Sequence, residues 1–343
     1  MSGPTTGLGA FGADQGSDHD PTSTAGRTGH GPRIWSFASG SGGVGRSTLT
    51  TVLGSRLVAR GGTACLVDGD WSSPLLTLLL DVPAHSQGDI WSSERLHPVC
   101  RSQEAGLDVL ASGGPMVRSP MEAVAPTILQ RLRSLPHDDV VVDLPGGSHG
   151  AALDLWLASD LPMLVAVPER LPLEATARLL SSVFARLARP WLTERFGLQD
   201  AQLILAEAWQ QCAGRTGTWM RSVAKRAEVP ADDLAEFVGR KPIHLLLNRV
   251  RRADDIDVGH ALVTAAGHGL GLDLRFRAVL PFEDEGWIRA RRLSVKLSGV
   301  TTSLLNMEVD DFLDRVETDS EVPAPQAWGC GAESNQGESM VGP

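Results

Sequence analysis

Residues 33–48 read RIWSFASGSGGVGRST, and the order of residue types in this stretch decides how the rest of the chain is read. Ile34 to Ala38 make an apolar run of buried-strand length. Gly40, Gly42, Gly43 and Gly45 then crowd into six residues, and Arg46, Ser47 and Thr48 open a helical pattern. Strand, glycine turn and helix in that order build an anion cradle. The glycines let the backbone turn sharply and aim successive N–H groups into one concavity, while the helix adds its unpaired donors and positive dipole end.

Two patterns overlap here. Gly40, four residues, Gly45, a basic residue and Ser47 have the spacing of a Walker A phosphate loop, with Arg46 where Lys is expected. Gly40, Gly42 and Gly45 also spell G-x-G-x-x-G, and Asp68 lies 23 residues beyond Gly45, where a dinucleotide fold keeps its ribose acid. The loop alone leaves both readings open.

Composition bounds the answer. The chain has 343 residues, 42% of them apolar, enough for one large α/β domain or two ordinary ones. A formal charge of -10 argues against wholesale coating of nucleic acid. Cys65, Cys100, Cys212 and Cys330 are scattered without ligand spacing, which suits reduced thiols and an expected cytoplasmic location. Neither a secretory signal pattern nor a run of about eighteen apolar residues is found.

Along the chain, residues 1–32 are rich in Gly, Ser, Thr, Asp and Pro, and read as a disordered tail. A helix over 46–60 and a strand over 63–67 follow the loop, so the chain begins as a βαβ unit. That strand runs into Asp68, Gly69 and Asp70. Two carboxylates there can hold a metal-bound water or orient an attacking one; they can equally start a turn and cap the next helix. Ser119, Pro120 and Glu122 spell a capping-box start for a helix to about 133. Asp139 to Asp143, DVVVD, then gives a central-strand signature ending in an acid and the turn Leu144-Pro-Gly-Gly. A Walker B strand supplies such an acid to Mg²⁺, and a dinucleotide site has no need of it, so Asp143 shifts the weight to a nucleoside triphosphate.

A helical stripe over 172–188 is read as packing on the sheet rather than on a membrane surface. Residues 190–240 read as a helical insertion, and a strand at 243–247, a helix at 254–268, a strand at 276–280 and an acidic helix from 301 close a domain spanning 33–317. Residues 318–343 have tail composition.

With ASGSGGVGRST, LVDGDWSSP, GLDVLASGG, DVVVDLPGG, SDLPMLVAVPERLPLEA, LLLNRVR and LPFEDEGW in this order, the chain resembles the MinD/ParA ATPases with a deviant Walker A loop, most nearly the FlhG/MinD-like branch. The resemblance implies an α/β fold with a mostly parallel sheet of seven or eight strands flanked by helices. It implies ATP and Mg²⁺ as cofactors. Gly40, Ser41, Gly42, Gly43, Val44 and Gly45 would cradle the phosphates, Arg46 would reach the β- and γ-phosphates, and Thr48 would touch the α-phosphate. Ser47, Asp68 and Asp143 would serve the metal, and Asp70 would orient the attacking water. Asn248, Pro281, Phe282 and Glu283 would meet the base.

Two departures matter. The family loop is KGGxGK[ST], and here its lysines are Ser41 and Arg46. Ser41 cannot send a charge to a partner's phosphates, and the planar fork of Arg46 fits a Lys slot poorly. The expected function is therefore an ATP-Mg²⁺ switch that forms a nucleotide-dependent homodimer, recruits a protein partner and hydrolyses weakly. The alternatives are a non-hydrolysing scaffold of the same fold and, last, an NAD-dependent oxidoreductase. Basic clusters at Arg249, Arg251, Arg252 and at Arg289, Arg291, Arg292 offer a DNA contact, although such charges more often face solvent. Asp310, Asp311, Asp314 and Glu317 argue against stable membrane docking through the C-terminal helix.

Overall fold

The computed structural model describes residues 31–70, 75–80, 100–101, 107–110, 125–147, 150–212, 216–282 and 303–323. Among the described residues eight strands form one sheet in the order β3-β4-β2-β5-β1-β6-β7-β8. They are β1 (Arg33–Ala38), β2 (Ala64–Asp68), β3 (Cys100–Arg101), β4 (Asp108–Leu110), β5 (Asp139–Asp143), β6 (Leu161–Ala166), β7 (Ile243–Val250) and β8 (Leu274–Pro281). Every neighbouring pair is parallel except β3 with β4, which is antiparallel at the edge. The mostly parallel sheet of seven or eight strands expected from the sequence is thus found with eight.

The helices follow from the same hydrophobic logic. They are α1 (Arg46–Ala59), α2 (Leu76–Leu79), α3 (Ala125–Leu132), α4 (Gly150–Ala158), α5 (Arg170–Phe196), α6 (Leu198–Gln211), α7 (Trp219–Arg226), α8 (Ala231–Val238), α9 (Asp254–Leu270) and α10 (Ser303–Glu317). The central strands read as continuous apolar runs because helices bury them from both sides. On one side Ile34, Val140, Val142 and Leu164 pack with Trp156, Phe184 and Leu245. On the other, Trp35, Phe37 and Val141 pack with Val52, Leu53 and Phe312.

Two local readings change. The helix read over 172–188 runs from Arg170 to Phe196, straight through Pro190. Proline normally ends a helix by removing an N–H and crowding the preceding turn. Pro190 is exposed, and Ala188, Trp191 and Leu192 around it are buried, so packing of the inner face outweighs one lost bond. After α5, helices α6, α7 and α8 gather around Trp219, which stands edge-on to Phe184 at 4.9 Å and to Trp209 at 4.7 Å. The chain also keeps a defined course past 317: the Val322 amide donates to the Phe276 carbonyl at 2.8 Å. The capping-box residues Ser119, Pro120 and Glu122 lie outside the described residues.

Parallel strands place their C-terminal ends along one edge of the sheet. In register, Phe37 of β1 and Asp68 of β2 both lie beside Asp143 of β5. The glycine loop after β1, the Asp68-Gly-Asp70 turn after β2 and the Pro145-Gly-Gly turn after β5 therefore meet in one crevice.

Candidate functional site

The loop is held by its neighbours before any ligand is considered. Gly147 donates its amide to the Ser39 carbonyl at 2.8 Å, Leu144 to the Phe37 carbonyl at 3.1 Å, and Gly69 to the Asp143 carbonyl at 2.8 Å. A Cβ at Gly40 would stand 2.3 Å from the backbone of Ala175 and Thr176, so α5 presses on the loop where only glycine fits. Gly45 has φ 91, and a Cβ there would also strike Asn248 Nδ2 at 2.5 Å. Above Gly42 and Gly43 a Cβ would meet nothing within 4 Å among the described residues, so as far as these go the loop is walled on one side and open on the other.

The donors for an anion are in place. No side chain caps the start of α1, whose N-cap is Gly45, and the first amides of a helix have no acceptor within it. The amides of the 41–47 loop and the helix dipole suit a phosphate group. Ser41 Oγ and Asp143 Oδ2 are buried without a hydrogen-bond partner among the described residues, which is how acceptors and donors awaiting a ligand look.

Arg46 departs from the expected arrangement. Its side chain reaches back to the acids that follow β2 and end β5. Nε donates to Asp143 Oδ1 at 2.8 Å, Nη2 to Asp70 Oδ2 at 2.8 Å, and Nη1 to Ser39 Oγ at 2.7 Å. All three groups are buried: the side chains of Arg46, Asp70 and Asp143 keep 7%, 6% and 0% of their exposure. Charge-assisted bonds of this length lock the guanidinium in position. Burial pushes the Asp143 carboxyl up, opposed by the charge of Arg46 and by the neighbouring Ser47 hydroxyl.

Asp68 takes the structural reading. Its Oδ1 accepts the Asp70 amide and its Oδ2 the Leu76 amide, both at 3.2 Å, so it shapes the turn and caps α2. Burial, and then the charge of Asp143, push its carboxyl up to about 7. With both oxygens on main-chain N–H groups and no exposed surface, Asp68 cannot serve a ribose, which removes the reason for a dinucleotide.

The same geometry tests the expected metal. Of its three expected ligands, Asp68 is held by backbone, Asp143 gives one oxygen to Arg46, and Ser47 Oγ and Asp143 Oδ2 remain. Asp70, the expected water-orienting acid, is also tied to the guanidinium. A divalent ion set between Ser47 and Asp143 would lie against a fixed positive charge among buried side chains, where like charges repel strongly. These side chains fit a guanidinium and do not fit the expected magnesium shell. Nor, among the described residues, does any group of three or more His, Cys, Asp or Glu have the arrangement to hold a metal ion.

Asn248 is also placed differently from its expected role toward a base. Its Nδ2 donates to the Val44 carbonyl at 2.8 Å, and its Oδ1 accepts the Arg249 amide at 2.9 Å. It clamps the loop. Beside it Arg249 adopts φ 62, a left-handed conformation that costs a side-chain-bearing residue about 1 kcal/mol or more, and its Nη2 donates to the Gly43 carbonyl. Pro281 and Phe282 follow β8, with the Phe282 amide on the Val250 carbonyl and the Arg251 guanidinium 3.8 Å above the Phe282 ring; Glu283 lies outside the described residues, as do Arg289, Arg291 and Arg292. The sequence reading missed Ser39, and it named Arg249 only as part of a basic cluster, not as a clamp on the loop. Ser39 carried a signal, a hydroxyl just before the first glycine, but the backbone angle of Arg249 has none.

A profile of the ParA family, described as NUBPL iron-transfer P-loop NTPase, matches residues 32–188. Among solved structures, the chain is similar to MinD in the MinC:MinD cell division complex of Aquifex aeolicus, at 15% identity over 85% of this chain and 98% of that one, with a TM-score of 0.52. It is similar to the cell division ATPase MinD of Pyrococcus furiosus at 21% identity over 84% and 99%, with a TM-score of 0.50. An ATP complex of a McdA variant from Cyanothece shares 15% identity over 86% and 100%, with a TM-score of 0.50. These likenesses establish the fold. No curated protein matches by sequence.

Proposed function

We propose that the chain is a member of the MinD/ParA family of P-loop NTPases, that it binds ATP at the loop between β1 and α1, and that it acts as a switch whose hydrolysis is slow or arrested. One observation carries the second half of this reading: Arg46 holds Asp70 and Asp143 together in a buried ion-paired cluster. The acid expected to orient the attacking water is tied to the residue expected to neutralise the transferred phosphoryl. Losing a single preorganised charge-stabilising donor costs about 10² to 10³ in rate, and here two functions are withdrawn together. The open side of the loop, the uncapped start of α1 and the unpartnered Ser41 Oγ support binding.

Slow turnover suits a protein whose output is a loaded state rather than a product. MinD is seen in a complex with MinC, and for this chain the corresponding role is to pair with a second copy when loaded and to engage a protein partner from that dimer. Expected surroundings are cytoplasmic; no helix among the described residues is long and apolar enough to cross a membrane. The test is a calorimetric titration of the full chain with ATP, ADP and NAD, alongside phosphate release and sedimentation velocity. ATP binding with negligible phosphate release and a shift to dimer is the expected result. NAD binding alone overturns the reading, and rapid hydrolysis overturns the arrest.

A second reading, a scaffold with a vestigial pocket, is favoured by the same cluster if the guanidinium also closes the phosphate side of the loop. It is selected when neither nucleotide binds.

A further inference from the structure

Asp143 and Asp70 leave the ends of two different strands and converge on one cation that is already part of the chain. We propose that the Arg46 guanidinium takes the place of a divalent metal in this crevice, so that the chain takes up a nucleoside triphosphate in its metal-free form. The inference rests on the nucleotide reading above and concerns the ionic form of the ligand that the same loop accepts.

Three observations carry it. The guanidinium bridges both acids at 2.8 Å, through Nε and Nη2, and anchors Nη1 on Ser39 at 2.7 Å, so its position is fixed from three directions. Those bonds use three of the five N–H groups of an arginine, which leaves one on each terminal nitrogen for an oxygen approaching over the loop. Gly146 lies close to that side: a Cβ added there would come within 3.3 Å of Arg46 Nη1 and 3.1 Å of the Gly42 amide nitrogen. The free donors of the guanidinium and the loop amides therefore face one small space, which a side chain at 146 would fill.

The charges point the same way. A metal in a triphosphate site screens phosphate oxygens from the acids that hold it. Here Arg46 stands between the loop and those acids and performs that screening as a fixed, undissociable cation. A metal brought in with the nucleotide would have to displace Arg46 from two buried carboxylates or sit against it. A lysine at this position, with one point charge and three donors, could not bridge two acids and a hydroxyl in a plane.

The test measures ATP affinity of the full chain by calorimetry in excess MgCl₂ and in excess EDTA, with thermal melting under the same two conditions as a second readout. The expected result is an affinity in EDTA equal to that in MgCl₂ within about threefold, or tighter, and for Arg46→Lys a tightening of about tenfold or more on adding Mg²⁺. Wild-type binding that tightens by about tenfold with Mg²⁺ overturns the inference and leaves the nucleotide site standing. An Arg46→Lys chain that stays indifferent to Mg²⁺ also overturns it, because the cause then lies elsewhere. No ATP binding under either condition overturns the nucleotide reading itself. If the variant fails to fold, the wild-type pair of measurements still decides.

Discussion

Among the described residues two arginines are buried, at opposite ends of the sheet's logic. Arg46 faces Asp70 and Asp143, which are themselves buried, and all three charges come from segments that the sheet brings to its C-terminal edge. Arg277, with 1% of its side chain exposed, faces mostly neutral groups. Its Nε donates to His244 Nδ1 at 3.2 Å, Nη1 to the carbonyls of Arg315 and Ser320, and Nη2 to Asp319, whose side chain is 67% exposed. Arg277 fastens the end of the chain: Asp319, Ser320 and Val322 are held against β8 around it. The acids of Arg46 have nowhere else to go, whereas the acid of Arg277 is comfortable in water. One cluster is a locked charge in a functional crevice, and the other is a latch.

Arg46→Ala is the strongest way to break that contrast. It strands two buried carboxylates, and removing one partner of a buried ion pair costs about 3–5 kcal/mol. Urea denaturation followed by circular dichroism measures it. If the loss comes from stranded charge, adding Asp70→Asn and Asp143→Asn to Arg46→Met recovers most of the stability, and an unrecovered loss would mean that Arg46 acts through packing.

Titration sharpens the comparison next, because the two regions respond to pH with opposite sign. In the crevice, Asp68 has a folded value of about 7 against an ordinary 3.8. The folded chain holds the proton longer than the unfolded one, so this group's contribution to stability falls as pH rises from about 4 to about 7. At the latch, burial and then the charge of Arg277 push His244 down to about 4 from 6.5. The unfolded chain there takes the proton first, so stability rises as pH climbs from about 4 to about 6.5. Across their full windows the contributions are about 4 kcal/mol for Asp68 and about 3 kcal/mol for His244. Between pH 4 and 6.5 the two largely cancel in the wild type. Asp68→Asn should unmask a rise in stability with pH over that interval, and His244→Gln a fall. Two parallel curves would show that neither group titrates as its surroundings dictate.

The difference between the regions also marks what the sequence could reveal. The strand-glycine-helix order, the DVVVD strand and the Asp-Gly-Asp turn were legible because each is a local pattern with a physical purpose, and their convergence follows from a parallel sheet. The direction of Arg46 was not, because it depends on the register that sets Asp143 beside Phe37 and Asp68, about a hundred residues away in the chain. Spacing showed a basic residue at the loop and could not show that it turns inward. Arg277 was wholly hidden. Leu245 pairs with Phe276 and Leu246 with Ala278, so Arg277 is the extra residue of a β-bulge, and no alternation rule places a buried arginine there. Asp68 was legible only as a choice between metal and turn, and backbone hydrogen bonds decided for the turn.

Arg277→Met keeps the volume of the side chain and removes the latch. Its expected cost is about 1–2 kcal/mol, since the partners left behind are carbonyls and a solvated acid rather than buried charges. The more telling readout is local. Limited proteolysis should cut sooner near residues 318–323 while the crevice keeps its ATP affinity, and a matching loss of ATP binding would show that the two regions are coupled.

The smallest effect is expected where the same Arg–Asp chemistry lies in water. Between α1 and α10, Arg56 pairs with Asp310 at 2.7 Å and Arg60 with Asp314 at 2.8 Å, distances as short as those around Arg46. Asp314 is 64% exposed, and water and salt screen such a pair to about 0.5 kcal/mol or less. What holds α10 is its inner face: Val309, Phe312 and Leu313 are buried, and the Phe312 ring stands edge-on to Trp35 at 6.2 Å. Asp314→Ala should therefore move the urea midpoint barely beyond error, while Phe312→Ala costs about 3–5 kcal/mol through the cavity it leaves. Should Asp314→Ala prove as damaging as Arg46→Ala, burial would not be what separates the two kinds of ion pair, and the contrast between crevice and surface would fail with it.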